Sequence, residues 1–377
     1  MARRYDRELA DNYLRHTTVG DPPLDPVMEE LAGLPTQDLH RFIKAGIDEE
    51  EDVMRSAPSA LRDFFDNLED PPWFEYESFR AGMRAFHMNT TNMLVAFVTG
   101  VLIEGFATMI AKSFATTGRV LNRSTARRRL MQNNRHLLEL FFPGGLRRDG
   151  DGWKLSMRLR FVHAKVRHLL ANSNEWNTEA WGLPLSAAHL GFAITVFSMR
   201  LMQHSVAVGA TFNQEEKDSI IRIWRYAGHV MGVPESILFT DEAHAREIFK
   251  IALMCEPEPD HDSATMANAL VEAIPLTAGI EDPDEQRDVK ALAYRLSRSL
   301  IGNRLADQLR FPKTNTFGVL LLYRLKQRLQ KLLKSKQSIR SENFTQMLEI
   351  SVYDEVGLGG MSYRMPDHVQ SSKSSPY

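Results

Sequence analysis

Residues 154–173, KLSMRLRFVHAKVRHLLANS, decide the fold by their spacing. Leu155, Leu159, Val162, Val166, Leu169 and Leu170 return at helical intervals and make one side of a helix apolar along its length. His163 follows Leu159 by one turn and precedes Val166 by another, so it belongs to that side. Arg160 and Arg167 flank it at minus three and plus four. An imidazole on an apolar face is either a hydrogen-bonded core group or a ligand, and spacing alone leaves both readings open.

The same periodicity continues on both sides of this segment and almost never gives way to strict alternation. It predicts an all-α chain, a single large helical domain with essentially no strands. Helices are expected at 77–117 (with a break), 124–142, 154–172, 186–209, 214–231, 241–255, 263–275, 285–308, 314–336 and 341–352. Ser124, Ser186 and Asn213 with Glu216 read as N-terminal caps, and Gly232 with Pro234 as a stop. Residues 1–68 read as an N-terminal helical extension of short amphipathic segments, broken by GDPPLDP at 20–26. The main body runs over 69–356, and the Ser-, Gly- and Pro-rich stretch 357–377 is expected to be disordered.

Forty-six basic and 48 acidic residues leave a net charge of −2, which provides no global field for nucleic acid. The single Cys255 excludes an internal disulfide framework. No apolar h-region follows the early arginines, and the most apolar run, Met93 to Ile103, is shorter than the roughly 20 residues a span needs. A cytoplasmic protein is the expectation. The patterns GxSxG, GxxxxGK[ST], HExxH and GxGxxG are absent, which leaves hydrolase, kinase and dehydrogenase chemistry without support.

Chemistry therefore falls to the histidines. Flanking guanidinium groups disfavour imidazolium and keep His163 in the neutral form that ligates metal. The propionates of a porphyrin would pair with Arg160 and Arg167, and the apolar stripe would hold the macrocycle. On the preceding helix Arg129, Gln132, Asn133 and His136 share one face. That face either is solvated or looks into the pocket opposite His163, where its donors would steady dioxygen. His189, His204 and His229 read as structural. The loop EPEPDHDS at 256–263 reads as a solvated connection in preference to a metal site. The run Arg324–Arg340, with seven basic and no acidic residues, is either an exposed helix face or a peripheral contact with an anionic membrane or acidic partner.

The blocks EDPPWFEYESFRAG at 69–82, ATTGRVLNRSTARRRLMQNNRHLLELFFPGGL at 115–146, MRLRFVHAKVRHLL at 157–170, WGLPLSAAHLGFAITVFS at 181–198 and IWRYAGHVMGVPE at 223–235 resemble the bacterial rubber oxygenases (latex clearing proteins) and the MpaB-like oxygenases. The resemblance covers roughly residues 69–240, and the element RxxHxxxRH is its sharpest part. It implies a b-type haem ligated by His163 in a globin-like helical core, with Arg160, Arg167 and His168 completing the motif. In the latex clearing proteins the arginine matching Arg129 is followed by lysine and threonine, here replaced by Gln132 and Asn133. The resemblance thus implies that the lysine able to cap the iron is missing. A glutamate proposed as base in that family falls near Ser113, and Glu104 is the nearest carboxylate.

Taken together, the expectation is a haem b oxygenase. Its distal groups would be Arg129, Asn133 and Gln132, and it would cleave a C=C bond of an isoprenoid or unsaturated lipid with dioxygen. Two alternatives stand beside it: a haem-binding sensor, carrier or store without turnover, and a cofactor-free interaction protein using the basic 324–340 segment.

Overall fold

The computed structural model describes residues 1–117, 123–333, 338, 341–343, 345–347 and 349–350. Among these there is no strand. In chain order the principal helices are α1 (Arg7–His16), α2 (Asp25–Glu30), α3 (Thr36–Ile47), α4 (Ser59–Asp66), α5 (Arg80–Ala96), α6 (Leu102–Phe106), α7 (Met109–Thr116), α8 (Arg123–Phe141) and α9 (Asp151–Ala171). They are followed by α10 (Ala187–Thr195), α11 (Leu201–Ala207), α12 (Gln214–Val230), α13 (Glu242–Cys255), α14 (His261–Thr277), α15 (Pro283–Ile301) and α16 (Val319–Leu333).

The expected caps at Ser186 and Asn213 are formed. Ser186 Oγ accepts from the His189 amide, and Asn213 and Glu216 close a reciprocal box at the start of α12. Gly232 ends that helix region at φ +81°, a conformation a side chain rarely adopts. The Ser124 side chain, the segment 118–122 and the tail 351–377 lie outside the described residues.

Two long predicted helices are interrupted by π turns, Phe97–Val101 between α5 and α6 and Val196–Arg200 between α10 and α11. The turns pack on each other, with Phe97 and Phe197 rings 5.8 Å apart. An inserted residue shifts the helical register, so side chains on either side of the turn face new directions. The rod from Tyr76 to Phe106 is thereby 31 residues long and apolar enough to cross a membrane by length and composition, but 72% of its most apolar window is buried inside the protein. It is a core helix here.

α8 and α9 are joined by a tight, glycine-rich turn in which Trp153 N–H donates to Gly145 O at 2.8 Å. A Cβ on Gly145 would overlap the Glu139 carbonyl, so only glycine allows this approach. α8 lies between α9 and α14. The N-terminal segment packs against the body. α1 lies on α13 and α10, where Tyr13 Oη donates to Glu256 at 2.6 Å, and α2 lies on α9. The exposed face of α16 carries Leu321, Leu322 and Leu325 beside Lys326 and Arg328, and much of the basic run beyond it lies outside the described residues.

Candidate functional site

α6, α7, α8, α9 and α10 surround a cavity of about 130 Å3 that is partly open to solvent. Its walls are mostly apolar: Leu102, Phe106, Ile110 and Phe114 on one side, and Leu159, Val162, Leu190, Ile194 and Phe197 on another. Into this space project His163 from α9 and Arg129, Gln132, Asn133 and His136 from α8. Helical spacing had put those four α8 residues on one face, and that face looks into the cavity opposite the His163 helix.

His163 is enclosed by protein except where its ring meets the cavity. Burial, then the charge of Arg167, then His136 push its pKa down to about 3, so the ring is neutral at physiological pH. Its Nδ1 is buried without a hydrogen-bond partner. A purely structural core histidine is normally satisfied at this atom, because an orphaned buried polar group costs about 1–3 kcal/mol. His40 and His204 also leave Nε2 buried without a hydrogen bond, but neither lines the cavity, and His204 Nε2 lies 3.2 Å from Glu104. His189 Nδ1 meets Ser186 Oγ at 3.0 Å, and His229 approaches Glu235 at 3.3 Å.

His136 is also neutral, its pKa lowered by burial to about 4. Its Nε2 lies 2.8 Å from Ser156 Oγ, whose proton is donated to Gly152 O at 2.7 Å. Arg129 stacks over Phe114, its guanidinium carbon 4.2 Å from the ring centre, and one N–H reaches Met266 Sδ at 3.4 Å. It is the one cation among the described residues lining the cavity.

Arg160 and Arg167 do not take the place expected for partners of porphyrin acid groups, and neither lines the cavity. Arg160 is paired bidentately with Asp21 at 2.6 and 2.8 Å, and Arg167 with Asp25 at 2.7–2.9 Å. The carboxylates of the segment read as a break at 20–26 saturate both forks. His168, partly exposed, is likewise absent from the cavity wall.

Glu104, the nearest candidate base, does not line the cavity and is engaged elsewhere: Arg200 grips both its oxygens, and His204 Nε2 lies 3.2 Å from Oε2. Burial alone would raise its pKa, but these groups hold it at about 2. In the 256–263 loop, Asp260 and Asp262 pair with Lys112, and no metal-binding cluster of three or more His, Cys, Asp or Glu occurs among the described residues.

Sequence reasoning missed several wall residues that only the tertiary fold assembles. Leu185, Met231 and Val233 come from loops. Leu185 is buried at φ +46°, a left-handed conformation that costs a leucine on the order of 1–3 kcal/mol and is characteristic of functional sites.

Residues 84–326 match the family model described as ER-bound oxygenase mpaB/B′/rubber oxygenase, catalytic domain. The rubber oxygenase of Streptomyces sp. (strain K30) is 24% identical over 167 residues, which are 42% of this chain and 38% of that protein, well under two thirds of its length. A structure of latex clearing protein LCP in the closed state superposes with a TM-score of 0.64 over 87% of this chain and 91% of that one, at 16% identity. At that identity the superposition shows a shared all-α fold.

Proposed function

We propose a haem b-dependent oxygenase, from the premise that this chain belongs to the family of the ER-bound oxygenase mpaB/B′ and rubber oxygenase catalytic domains. The observation that carries the reading is His163: a neutral imidazole whose ring lines a mostly apolar cavity, opposite the polar face of α8. These residues fit a haem. His163 would ligate the iron, and Leu159, Val162, Leu190, Ile194 and Phe197 offer the apolar walls a macrocycle requires.

A haem bound there would supply the activation of dioxygen. The protein's part is binding, orientation and exclusion of water. Arg129 brings a positive charge to the cavity, and Asn133 and Gln132 bring amide donors from the next turn of α8. With Phe106 and Phe114 beside Arg129, these donors act in a medium of low polarity, where each is worth more than in water. The remaining apolar wall selects a hydrocarbon chain, and the relative named a rubber oxygenase supports an isoprenoid or unsaturated lipid cleaved at C=C.

Glu104 is given no part in proton removal, because Arg200 and His204 already occupy it. The test is oxygen uptake by the haem-loaded protein with a polyisoprene oligomer. Uptake accompanied by aldehyde or ketone products supports the oxygenase. Haem binding without uptake supports the carrier or sensor alternative.

A further inference from the structure

The two arginines that flank His163 hold the cavity's walls. Arg160 and Asp21 form a bidentate pair with side chains 7% and 3% exposed. Arg167 grips Asp25 and also donates to the Leu185 carbonyl at 2.7 Å. Both carboxylates come from one short stretch, and both pairs sit against a glycine. A Cβ on Gly20 would overlap the Arg167–Asp25 pair, and one on Gly232 the Arg160–Asp21 pair.

These contacts reach the site directly. Gly232 lies between Met231 and Val233, and Leu185 is the residue held at φ +46°; all three of those side chains line the cavity. The flanking backbone is tied in as well, Leu183 N–H to Thr17 O at 2.8 Å and Ala187 N–H to Val19 O at 2.7 Å. The arginines are seven residues apart, about two helical turns, with His163 between them. Two anchors fix both the height and the rotation of a helix, where one would leave it free to turn. Buried ion pairs are often replaceable by apolar residues without loss of stability, so a matched set around one histidine serves position more than stability.

We infer that Thr17–Asp25 is a clasp for the site, in which Asp21 and Asp25 are positioning residues that set the His163 helix and the Leu185 and Met231–Val233 walls together. What the cavity holds rests on the haem reading above. The clasp accounts for the arginine spacing around His163.

The experiment compares Asp21→Asn, Asp25→Asn and Asp25→Glu with Leu296→Ala, a core truncation in α15, none of whose residues lines the cavity. Each full-length protein is titrated with haemin, and its cofactor-free form is followed by hydrogen exchange and denaturant unfolding. Asp25→Asn should weaken haemin binding about tenfold, the lower end of the range for groups that orient a metal ligand. It should also speed exchange in 156–170 and 183–190 and alter the Soret band, and Asp25→Glu should restore most of all three. Leu296→Ala should lose at least as much stability and keep parental haemin affinity.

The inference is overturned if folded Asp21→Asn and Asp25→Asn keep parental affinity and exchange, or if Leu296→Ala weakens haemin binding equally. If the parent binds no haemin, the haem reading fails by itself and exchange decides the clasp: faster exchange in those two segments supports it, unchanged exchange sinks it. Should Asp21→Asn not fold, Asp25, whose side chain is 32% exposed, carries the test.

Discussion

Replacing Glu104 by Gln should cost stability in a pH-dependent way. The carboxylate is buried, bound through both oxygens by Arg200 and faced by His204, and its pKa is held at about 2 against an ordinary 4.5. A depression of that size corresponds to roughly 3 kcal/mol of native-state stability at neutral pH. Breaking a buried pair independently suggests about 3–5 kcal/mol, and the 20% exposure of Arg200 favours the lower end. The sign follows from the direction of the shift. Stability from this group is complete above pH 4.5, falls to roughly half by pH 3 and is mostly gone near pH 2, as the native carboxylate takes up its proton. The assay is urea unfolding of parent and Glu104→Gln from pH 7 downward. A gap of about 3 kcal/mol at pH 7 that narrows in acid is expected. Equal stability at pH 7, or a gap that ignores pH, would refute the reasoning, as would wild-type stability combined with a selective loss of turnover.

Other parts of the site give further expectations. Arg129→Ala should keep haemin affinity while oxygen uptake with substrate falls by about tenfold or more, since one preorganised charge at a site of reaction is removed; parental uptake would take Arg129 out of that role. Ser156→Ala leaves His136 Nε2 without its hydrogen-bond partner and should cost about 1–3 kcal/mol in denaturant unfolding. Ser198→Ala, whose hydroxyl bonds only to the carbonyls of Ile194 and Thr195, should cost less. His136 stays neutral in the fold down to about pH 4, whereas the unfolded ring protonates near 6.5. Its contribution is therefore present above pH 6.5 and declines by about 1.4 kcal/mol per unit as pH falls toward 4. His136→Gln should flatten the stability–pH curve of the cofactor-free protein in that window, and an unaltered slope would argue against a buried neutral ring.

The helices were legible wherever apolar residues stood on one side only, as in α9, because a period of 3.6 is then visible. It fades in runs such as 93–103 and 190–199, where nearly every position is apolar, and there the π turns went unseen. The predicted helix 285–308 is split at Gly302, which sits at φ +84° between amphipathic stretches that continue one pattern. His163 and the face of Arg129, Gln132 and Asn133 could be found because helical spacing determines which side chains point together. Spacing says nothing of what stands opposite. Asp21 and Asp25 lie 139 and 142 residues from the arginines they hold, and nothing local in GDPPLDP distinguishes a clasp from a turn. Leu185, Met231 and Val233 were invisible for the same reason: a cavity wall made from loops has no period.

The most direct test is the absorption spectrum and pyridine haemochrome of the purified parent beside His163→Ala, with His189→Ala as a buried histidine held by Ser186. The parent and His189→Ala should each show a Soret band and about one b-type haem per chain, as a single proximal histidine implies, and His163→Ala should retain none. A parent that takes up no haem on reconstitution, or a His163→Ala protein that keeps a full complement, would contradict the account.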